Sequence, residues 1–155
     1  MKRRLWIPAA VILVDQVAKL LVRGLTEPVT LIPGVLGLTC VRNTGMAFSM
    51  FSGVPWLLGI LSIAAVAGGL VLLRRWRLTG LARIGVLLMI GGAASNAFDR
   101  LFLGYVIDML EVLCFQFAVF NPADAALTVG CVLAGLSLFL RPGEWPAFGG
   151  DAHGK

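Results

Sequence analysis

Four long apolar stretches, each about twenty residues, decide what this chain can fold into. They are Leu5 to Val22, Val54 to Leu73, Leu81 to Phe102 and Phe120 to Leu140. A helix rises about 1.5 Å per residue, so about 20 residues cross the hydrocarbon core of a bilayer. Because 59% of the residues are hydrophobic and 14% are charged, little chain is left for a soluble domain. The sequence predicts an all-α polytopic membrane protein with four transmembrane helices.

The first stretch follows the basic start MKRRLW, as the core of a secretory signal peptide does. Asp15 and Lys19 interrupt its apolar run, however, and no cleavage site of small residues follows. The stretch is therefore predicted to remain in the protein as a helix.

Lysine and arginine are unevenly distributed among the connections. They lie before the first stretch, between the second and third, and after the fourth: Lys2, Arg3, Arg4, Arg74, Arg75, Arg77, Arg83, Arg141 and Lys155. The opposite connections hold Arg23, Arg42 and, at a helix end, Arg100. Short basic loops stay in the cytoplasm, so both termini are predicted to be cytoplasmic. The net charge of +5 reflects this orientation, and no basic stripe with interleaved aromatic residues predicts a nucleic-acid partner.

The connections also differ in length and composition. Residues 24–53 contain β-branched residues, with prolines and glycines at turn spacing, which predicts a small strand-rich extracytoplasmic flap. Leu103 to Val119 is apolar enough to lie in the membrane interface. We predict one transmembrane domain over residues 1–141, including the flap, and a flexible cytoplasmic tail over residues 142–155.

The acidic residues inside the apolar stretches fall at one depth. In the predicted orientation Asp15, Asp99 and Asp124 all lie toward the outer leaflet, with Asp108 shortly after the third stretch. Lys19, Asn96 and Arg100 lie in the same layer. The inner halves of the stretches carry no acid. Ionisable groups at such depth are costly, and they therefore mark a candidate functional site.

Asp15 and Lys19 allow two interpretations. They are four residues apart with the acid first, which is the favourable order for a helical ion pair. In the second interpretation, Lys19 is the general base that activates a serine nucleophile. The candidate serines are Ser49, Ser52 and Ser95, although no sequence feature joins any of them to Lys19.

An asparagine lies three residues before an aspartate twice, on one helical face each time. The pairs are Asn96 with Asp99 and Asn121 with Asp124. The second pair also predicts a helix start, with Asn121 as the N-cap, Pro122 at the first helical position and Asp124 at the third. A carboxylate placed there lies between the favourable helix dipole and apolar surroundings that oppose its charge.

Asp108, in GYVIDMLEV, is by itself typical of an acid in an interfacial loop. The connection from the third to the fourth stretch can close, however, and bring Asp108 to Asp124. Two acids at one point share a proton. The ionised acid can then take a proton from water while the protonated one polarises a peptide carbonyl, as in aspartic proteases.

Histidine and cysteine suggest no competing chemistry. The single histidine, His153, lies in the tail, and the three cysteines have no metal-ligand spacing. Neither a metal nor a cofactor is predicted. Cys40 and Cys114 both fall outside in the predicted topology, and a bond between them is left open.

Four stretches that together span nearly the whole chain carry motifs in a fixed order: DQVAKLLV, RNTGMAFSMF, GGAASNAFDRLFLGYVIDML and FAVFNPADAALTVG. These motifs resemble those of the lipoprotein signal peptidases, also called type-II signal peptidases. The resemblance implies a catalytic dyad of Asp108 and Asp124. It also implies a polar ring that positions the substrate, braced by Asp15 and Lys19; the ring consists of Asn43, Asn96, Asp99, Arg100 and Asn121. Ser95 and Met109 stand where the family usually has glycine and phenylalanine.

The same resemblance implies the activity. Such enzymes remove the signal peptide from diacylglyceryl-modified prolipoproteins, cutting before the lipidated cysteine at the outer leaflet of the bacterial cytoplasmic (inner) membrane. A monomer in contact with membrane lipids is expected. Apolar flap residues clamp the substrate or anchor the flap in the membrane; they are Met46, Phe48, Met50 and Phe51. A proton- or ion-coupled transporter and a structural assembly subunit are the alternatives.

Overall fold

The fold combines four α-helices with one small β-sheet. It was obtained as a computed structural model, which describes residues 5–45, 53–76 and 78–145. The elements in chain order are α1 (Trp6–Val22), β1 (Val29–Ile32), β2 (Leu36–Asn43), α2 (Pro55–Arg75), α3 (Gly80–Phe102), β3 (Val106–Val112), α4 (Pro122–Leu140) and a short 3₁₀ helix (Pro142–Glu144).

The helices begin and end within two residues of the predicted stretches. Within the described part of the chain, α2, α3 and α4 are long and apolar enough to cross a membrane. The 17 residues of α1 correspond to about 26 Å at the usual rise. These three helices agree with the predicted membrane protein, whereas the fourth crossing and the side on which the termini lie stay predictions.

Helix α3 is the centre of the bundle. Twelve of its 23 residues are buried, against three of the 21 residues of α2, and α1, α2 and α4 all pack on it. A close crossing joins Gly85 of α3 to Gly130 of α4. A Cβ atom built on Gly130 would lie 2.7 Å from the Gly85 carbonyl oxygen. The two backbones touch because neither residue has a side chain, as is common between membrane helices.

Replacing Gly130 with alanine is expected to destabilise this crossing. The added methyl group would press on the backbone of α3, which cannot rotate away, and overpacking of this kind costs about 1–3 kcal/mol. Gly135→Ala is the matched control on the same helix, since no atom of the described residues lies within 4 Å of a Cβ atom there. Thermal unfolding in detergent should show a lower midpoint for the first variant only; equal midpoints would contradict the close crossing.

The sheet has the strand order β1-β2-β3, and both pairings are antiparallel. Strands β1 and β2 confirm the predicted strand-rich flap. The flap residues 46–52 lie outside the described residues. The clamp or anchor predicted for Met46, Phe48, Met50 and Phe51 therefore stays a prediction.

Strand β3 was missed by the sequence analysis, which expected an interfacial connection there. Its first four residues are all buried, so the alternation that marks a half-exposed strand is absent. One face of the strand packs against α1, where Ile107 and Met109 contact Val22. The Asp108 side chain lies on the other face, and its backbone is in register with Val41 of β2.

Residues 142–145, predicted as the start of the tail, pack against the end of the bundle opposite the sheet. The Glu144 carboxylate accepts a hydrogen bond from the backbone N–H of Ala82 at 2.9 Å. The Trp145 indole donates to the Ser137 hydroxyl at 2.7 Å. The α3 N-terminus lacks a side-chain cap of its own, and Glu144 supplies the acceptor that its amides need. Residues 146–155 lie outside the described residues.

Candidate active site

A buried lysine begins the polar layer between the bundle and the sheet. The Lys19 ammonium lies 2.6 Å from an oxygen of Asp15 and 2.6 Å from an oxygen of Asp99. It also donates to the Asn96 side-chain oxygen at 3.0 Å. The predicted Asp15–Lys19 ion pair is therefore confirmed, and Asp99 is a second partner that the sequence did not indicate. All four side chains are buried.

The two Asn–Asp pairs prove to be unlike each other. Asn96 donates across to Asp124 of α4 at 2.8 Å, whereas Asp99 faces Lys19 and Gln16 of α1. On α4 the predicted cap is confirmed: the backbone N–H of Asp124 donates to Asn121 Oδ1 at 2.9 Å. Asn96 thereby connects Lys19 with the Asp124 carboxylate.

Asn121 contacts both acids of the predicted dyad. Its backbone N–H donates to Asp124 Oδ2 at 3.3 Å, and its side-chain amide donates to Asp108 Oδ1 at 2.7 Å. The side-chain oxygen is occupied by the cap, so the NH₂ group is free to reach β3. An asparagine can serve both purposes because it carries an acceptor and a donor, whereas an aspartate at the N-cap would present only acceptors.

The chain closes between β3 and α4, as the dyad hypothesis requires. Leu110 and Phe120 exchange backbone hydrogen bonds of 2.8 and 3.1 Å. This bridge places Asn121 and the start of α4 beside Asp108. The other Asp108 oxygen accepts from Asn43 of β2 at 2.8 Å. Sheet and helix therefore each hold one oxygen of Asp108, which is only 3% exposed.

Burial raises the pKa of Asp108 from its usual 3.8 to about 6. The hydrogen bond from Asn43 opposes the rise, the charge of Asp124 adds to it, and the bond from Asn121 opposes it again. A carboxyl group with such a pKa exchanges its proton close to neutrality, which suits acid–base chemistry.

Asp108 and Asp124 border the same cavity of about 530 Å³. Its walls are mostly apolar and include Phe117, Leu127 and Val129. A second, 320 Å³ cavity between α2, α3 and α4 also reaches Asp124. A third, of 480 Å³, reaches Asp108 and is more polar, since its lining includes Arg42, Thr44 and Gln116 beside apolar residues. The two acids thus lie where apolar and polar cavities meet.

Arg100 connects the helices to the flap. Its guanidinium donates to the Gly45 carbonyl oxygen at 3.0 Å, and the Gly45 N–H donates to Asn43 Oδ1 at 2.9 Å. The turn after β2 is thereby fixed with the Asn43 amide directed at Asp108. Arg100 also lines both apolar cavities, so its positive charge lies near both acids.

Gln16 and Ser95 complete the layer; from the sequence, Ser95 was considered only as a candidate nucleophile and Gln16 was not considered. Gln16 donates to the Ser95 hydroxyl at 3.0 Å and to Asp99 at 2.9 Å. The Ser95 hydroxyl donates to Asp15 at 2.7 Å, so its proton is directed at an acid rather than at Lys19. A glutamine inside an apolar stretch, between two charged residues, was the available signal for Gln16.

The other residues considered for chemistry from the sequence were serines, cysteines and metal ligands. Ser49 and Ser52 lie outside the described residues. Cys40 and Cys114 are both free thiols, so the open question of a bond between them is answered in the negative. No group of His, Cys, Asp or Glu suited to hold a metal ion occurs within residues 5–45, 53–76 and 78–145.

Comparison with known families identifies this arrangement. The profile of the signal peptidase (SPase) II family matches residues 7–140. The chain belongs to the signal peptidase II family. Lipoprotein signal peptidases of Geobacillus kaustophilus (strain HTA426) and Nostoc sp. (strain PCC 7120) are both 39% identical to it. The first match covers 86% of this chain and 91% of the relative, and the second covers 90% and 92%.

Solved structures support the same fold. A bacterial membrane enzyme determined at 2.3 Å resolution superposes with a TM-score of 0.81 at 24% identity, covering 97% of this chain and 93% of that one. A second, at 1.9 Å resolution, gives 0.77 at 26% identity over 88% and 92%. Membership of the signal peptidase II family makes this chain a peptidase, and the polar layer described above is its candidate active site.

Proposed function

We propose that this protein is an intramembrane aspartic endopeptidase that removes signal peptides from diacylglyceryl-modified bacterial prolipoproteins. It cuts just before the lipidated cysteine, and Asp108 and Asp124 are its catalytic dyad. The observation that carries the proposal is that Asn121 bonds both carboxylates at the edge of one largely apolar cavity. The curated relatives named lipoprotein signal peptidase support the substrate class.

The mechanism follows from the surroundings of the two acids. One proton is shared by the dyad, because two carboxylates at one site do not both ionise easily. The ionised member takes a proton from a water molecule, and that water attacks the scissile carbonyl carbon. The protonated member donates to the carbonyl oxygen, and proton transfer to the leaving nitrogen completes hydrolysis. The polar cavity beside Asp108 is the entry for water.

The supporting residues hold this geometry. Asn43 and Asn121 fix Asp108, while Asn96 and the first turn of α4 fix Asp124. Lys19 orients Asn96, and Asp15 and Asp99 both contact the lysine ammonium and hold it in place. Preorganised groups of this kind reduce the rearrangement needed in the transition state.

The membrane arrangement matches this substrate. The four helices cross the inner membrane with both termini in the cytoplasm, as the basic connections predict. The dyad then lies at the outer leaflet, where the acyl chains of a lipidated cysteine enter the bilayer. The cavity lined by Phe117, Leu127 and Val129 accepts the apolar part of the substrate. The protein acts as a monomer, with residues 1–141 as its catalytic domain.

Cleavage of a synthetic prolipoprotein peptide tests the proposal. Purified protein in detergent is incubated with a peptide whose cysteine carries a diacylglyceryl group, and with the same peptide without the lipid. Mass spectrometry should find a new N-terminus at the cysteine of the lipidated peptide only. A cut elsewhere, or equal cleavage of both peptides, would contradict the assigned substrate.

The pH dependence of cleavage is a further expectation. The reactive state holds one proton in the dyad, and the raised pKa of Asp108, about 6, sets where that proton is lost. The value of kcat/KM should therefore fall as pH rises above about 6, approaching tenfold per unit for the loss of one proton. Initial rates between pH 4 and 9, with thermal unfolding at each pH as the control for folding, measure this profile. A rate that is constant from pH 5 to 9 would refute a shared proton.

A further inference from the structure

A directional chain of hydrogen bonds crosses the interior from Gln16 to the first turn of α4. Gln16 donates to the Ser95 hydroxyl at 3.0 Å, and that hydroxyl donates to Asp15 Oδ2 at 2.7 Å. The other oxygen of Asp15 accepts the backbone N–H of Ala123 at 2.9 Å. Ser95 and Asp15 are both fully buried. These hydrogen bonds join α1, α3 and α4, and in each of them it is fixed which group donates and which accepts.

The direction of the chain is set by its members. A hydroxyl has one proton to donate, and Gln16 already occupies a lone pair of Ser95. The proton of Ser95 must therefore point to Asp15. Successive bonds of this kind polarise one another in a medium of low dielectric constant. Lys19 contacts the same Asp15 oxygen at 2.6 Å, and because a carboxylate oxygen has two lone pairs, Ser95 and Lys19 together fix the orientation of the Asp15 carboxylate.

The end of the chain is the helix turn that carries Asp124. The first amides of a helix have no partner within it. In α4 the amide of Asp124 is satisfied by Asn121, and the amide of Ala123 by Asp15 on another helix. Asp15 thus anchors the turn one residue before the catalytic acid. The carbonyl of Ala123 lies against Gly92, so the turn is confined on its opposite side by α3.

We propose that Ser95 and Gln16 are positioning residues for hydrolysis: acting through Asp15, they hold the first turn of α4 so that Asp124 faces the scissile bond. Neither residue borders the cavity that contains the dyad, whose walls belong to β2, α3, β3, the β3–α4 connection and α4. Their effect is therefore expected on the rate of the chemical step and not on substrate affinity. This role rests on the proposed peptidase activity.

The test combines kinetics with hydrogen exchange. Ser95→Ala removes the hydroxyl, and Gln16→Met removes the amide donors from a residue at the partly buried edge of the layer. Each variant is expected to lower kcat between about 10-fold and 100-fold, because misplacing a catalytic group by about 1 Å has effects of that size. KM should stay close to the wild-type value. Deuterium exchange of the backbone over residues 121–127 should become faster in both variants.

Ser137→Ala is the matched control. Ser137 is also fully buried and hydrogen-bonded, but it lies at the opposite end of α4. This variant should keep the wild-type kcat and the wild-type exchange over residues 121–127. If Ser95→Ala fails to fold, Gln16→Met decides the question by itself.

The outcomes separate this proposal from the peptidase assignment. Unchanged kcat in the folded variants, a change in KM alone, or exchange at residues 121–127 no faster than in Ser137→Ala would overturn the positioning role. Failure of the wild-type protein to cleave would refute the proposed function instead. The exchange measurement would then still report whether Ser95 and Gln16 hold the α4 turn.

Discussion

Asp124→Asn and Asp108→Asn are each expected to abolish detectable cleavage of a diacylglyceryl-modified prolipoprotein peptide. Removing a positioned acid or base costs about 10²–10⁴-fold in rate, and each of these acids takes part in proton transfer in the proposed mechanism. Asparagine keeps the shape of the side chain but acts neither as an acid nor as a base near neutral pH. Initial rates, measured from the release of the new N-terminal cysteine, quantify the loss.

Glu111→Gln is the control for these variants. Glu111 lies on β3, three residues after Asp108, and does not border the cavity that holds the dyad. Its replacement is the same change from acid to amide. The Glu111→Gln variant should cleave at the wild-type rate, and all three variants should unfold cooperatively in detergent. Full activity in Asp108→Asn and Asp124→Asn would rule out this dyad and favour an assembly subunit. A transporter predicts instead that the wild-type protein does not cleave.

Lys19→Met is expected to be the most destabilising single replacement. Lys19 is the cation that contacts both Asp15 and Asp99, and all three side chains are at most 3% exposed. Removing one partner of a buried ion pair leaves an uncompensated charge and costs about 3–5 kcal/mol. Here two carboxylates would lose their ion-pair partner, and the hydrogen bonds from Gln16 to Asp99 and from Ser95 to Asp15 come from neutral groups. Thermal unfolding in detergent, or the yield of folded protein, measures the loss.

Two further variants test whether the expected loss of stability is specific to the buried ion cluster. Arg23→Met removes an exposed cation at the C-terminal end of the same helix and should leave stability nearly unchanged, since exposed ion pairs contribute about 0–1 kcal/mol. Adding Asp99→Asn to Lys19→Met removes one of the two stranded charges and should recover part of the loss. If Lys19→Met is as stable as Arg23→Met, the ion cluster makes no net contribution to folding.

Helix positions were predictable because each depends on residues close together in sequence. The apolar stretches set the helix ends to within two residues, and Asn121, Pro122 and Asp124 specify a helix start by their spacing alone. The flap strands β1 and β2 were predictable for the same reason, since β-branched residues and turn residues alternate over a short segment.

Strand β3 could not be predicted from its own residues. Both of its faces are covered, one by α1 and the other by the polar layer, so no alternation marks it. Its pairing partner β2 lies more than 60 residues earlier in the chain, as the Asn43–Asp108 bond shows by its separation of 65 residues. A local pattern carries no information about such a pairing.

The sequence by itself determined that this chain enters a membrane, where its helices lie, and that its acids share one depth, because hydrophobicity and spacing act locally. Only the tertiary structure decided which partners those acids have. Asp15 binds the amide of Ala123, 108 residues away, and Asn96 binds Asp124 rather than the neighbouring Asp99. These contacts depend on the close packing of α3 with α1 and α4 and on the Leu110–Phe120 bridge. Side chains far apart in sequence find each other only once the backbone between them has closed.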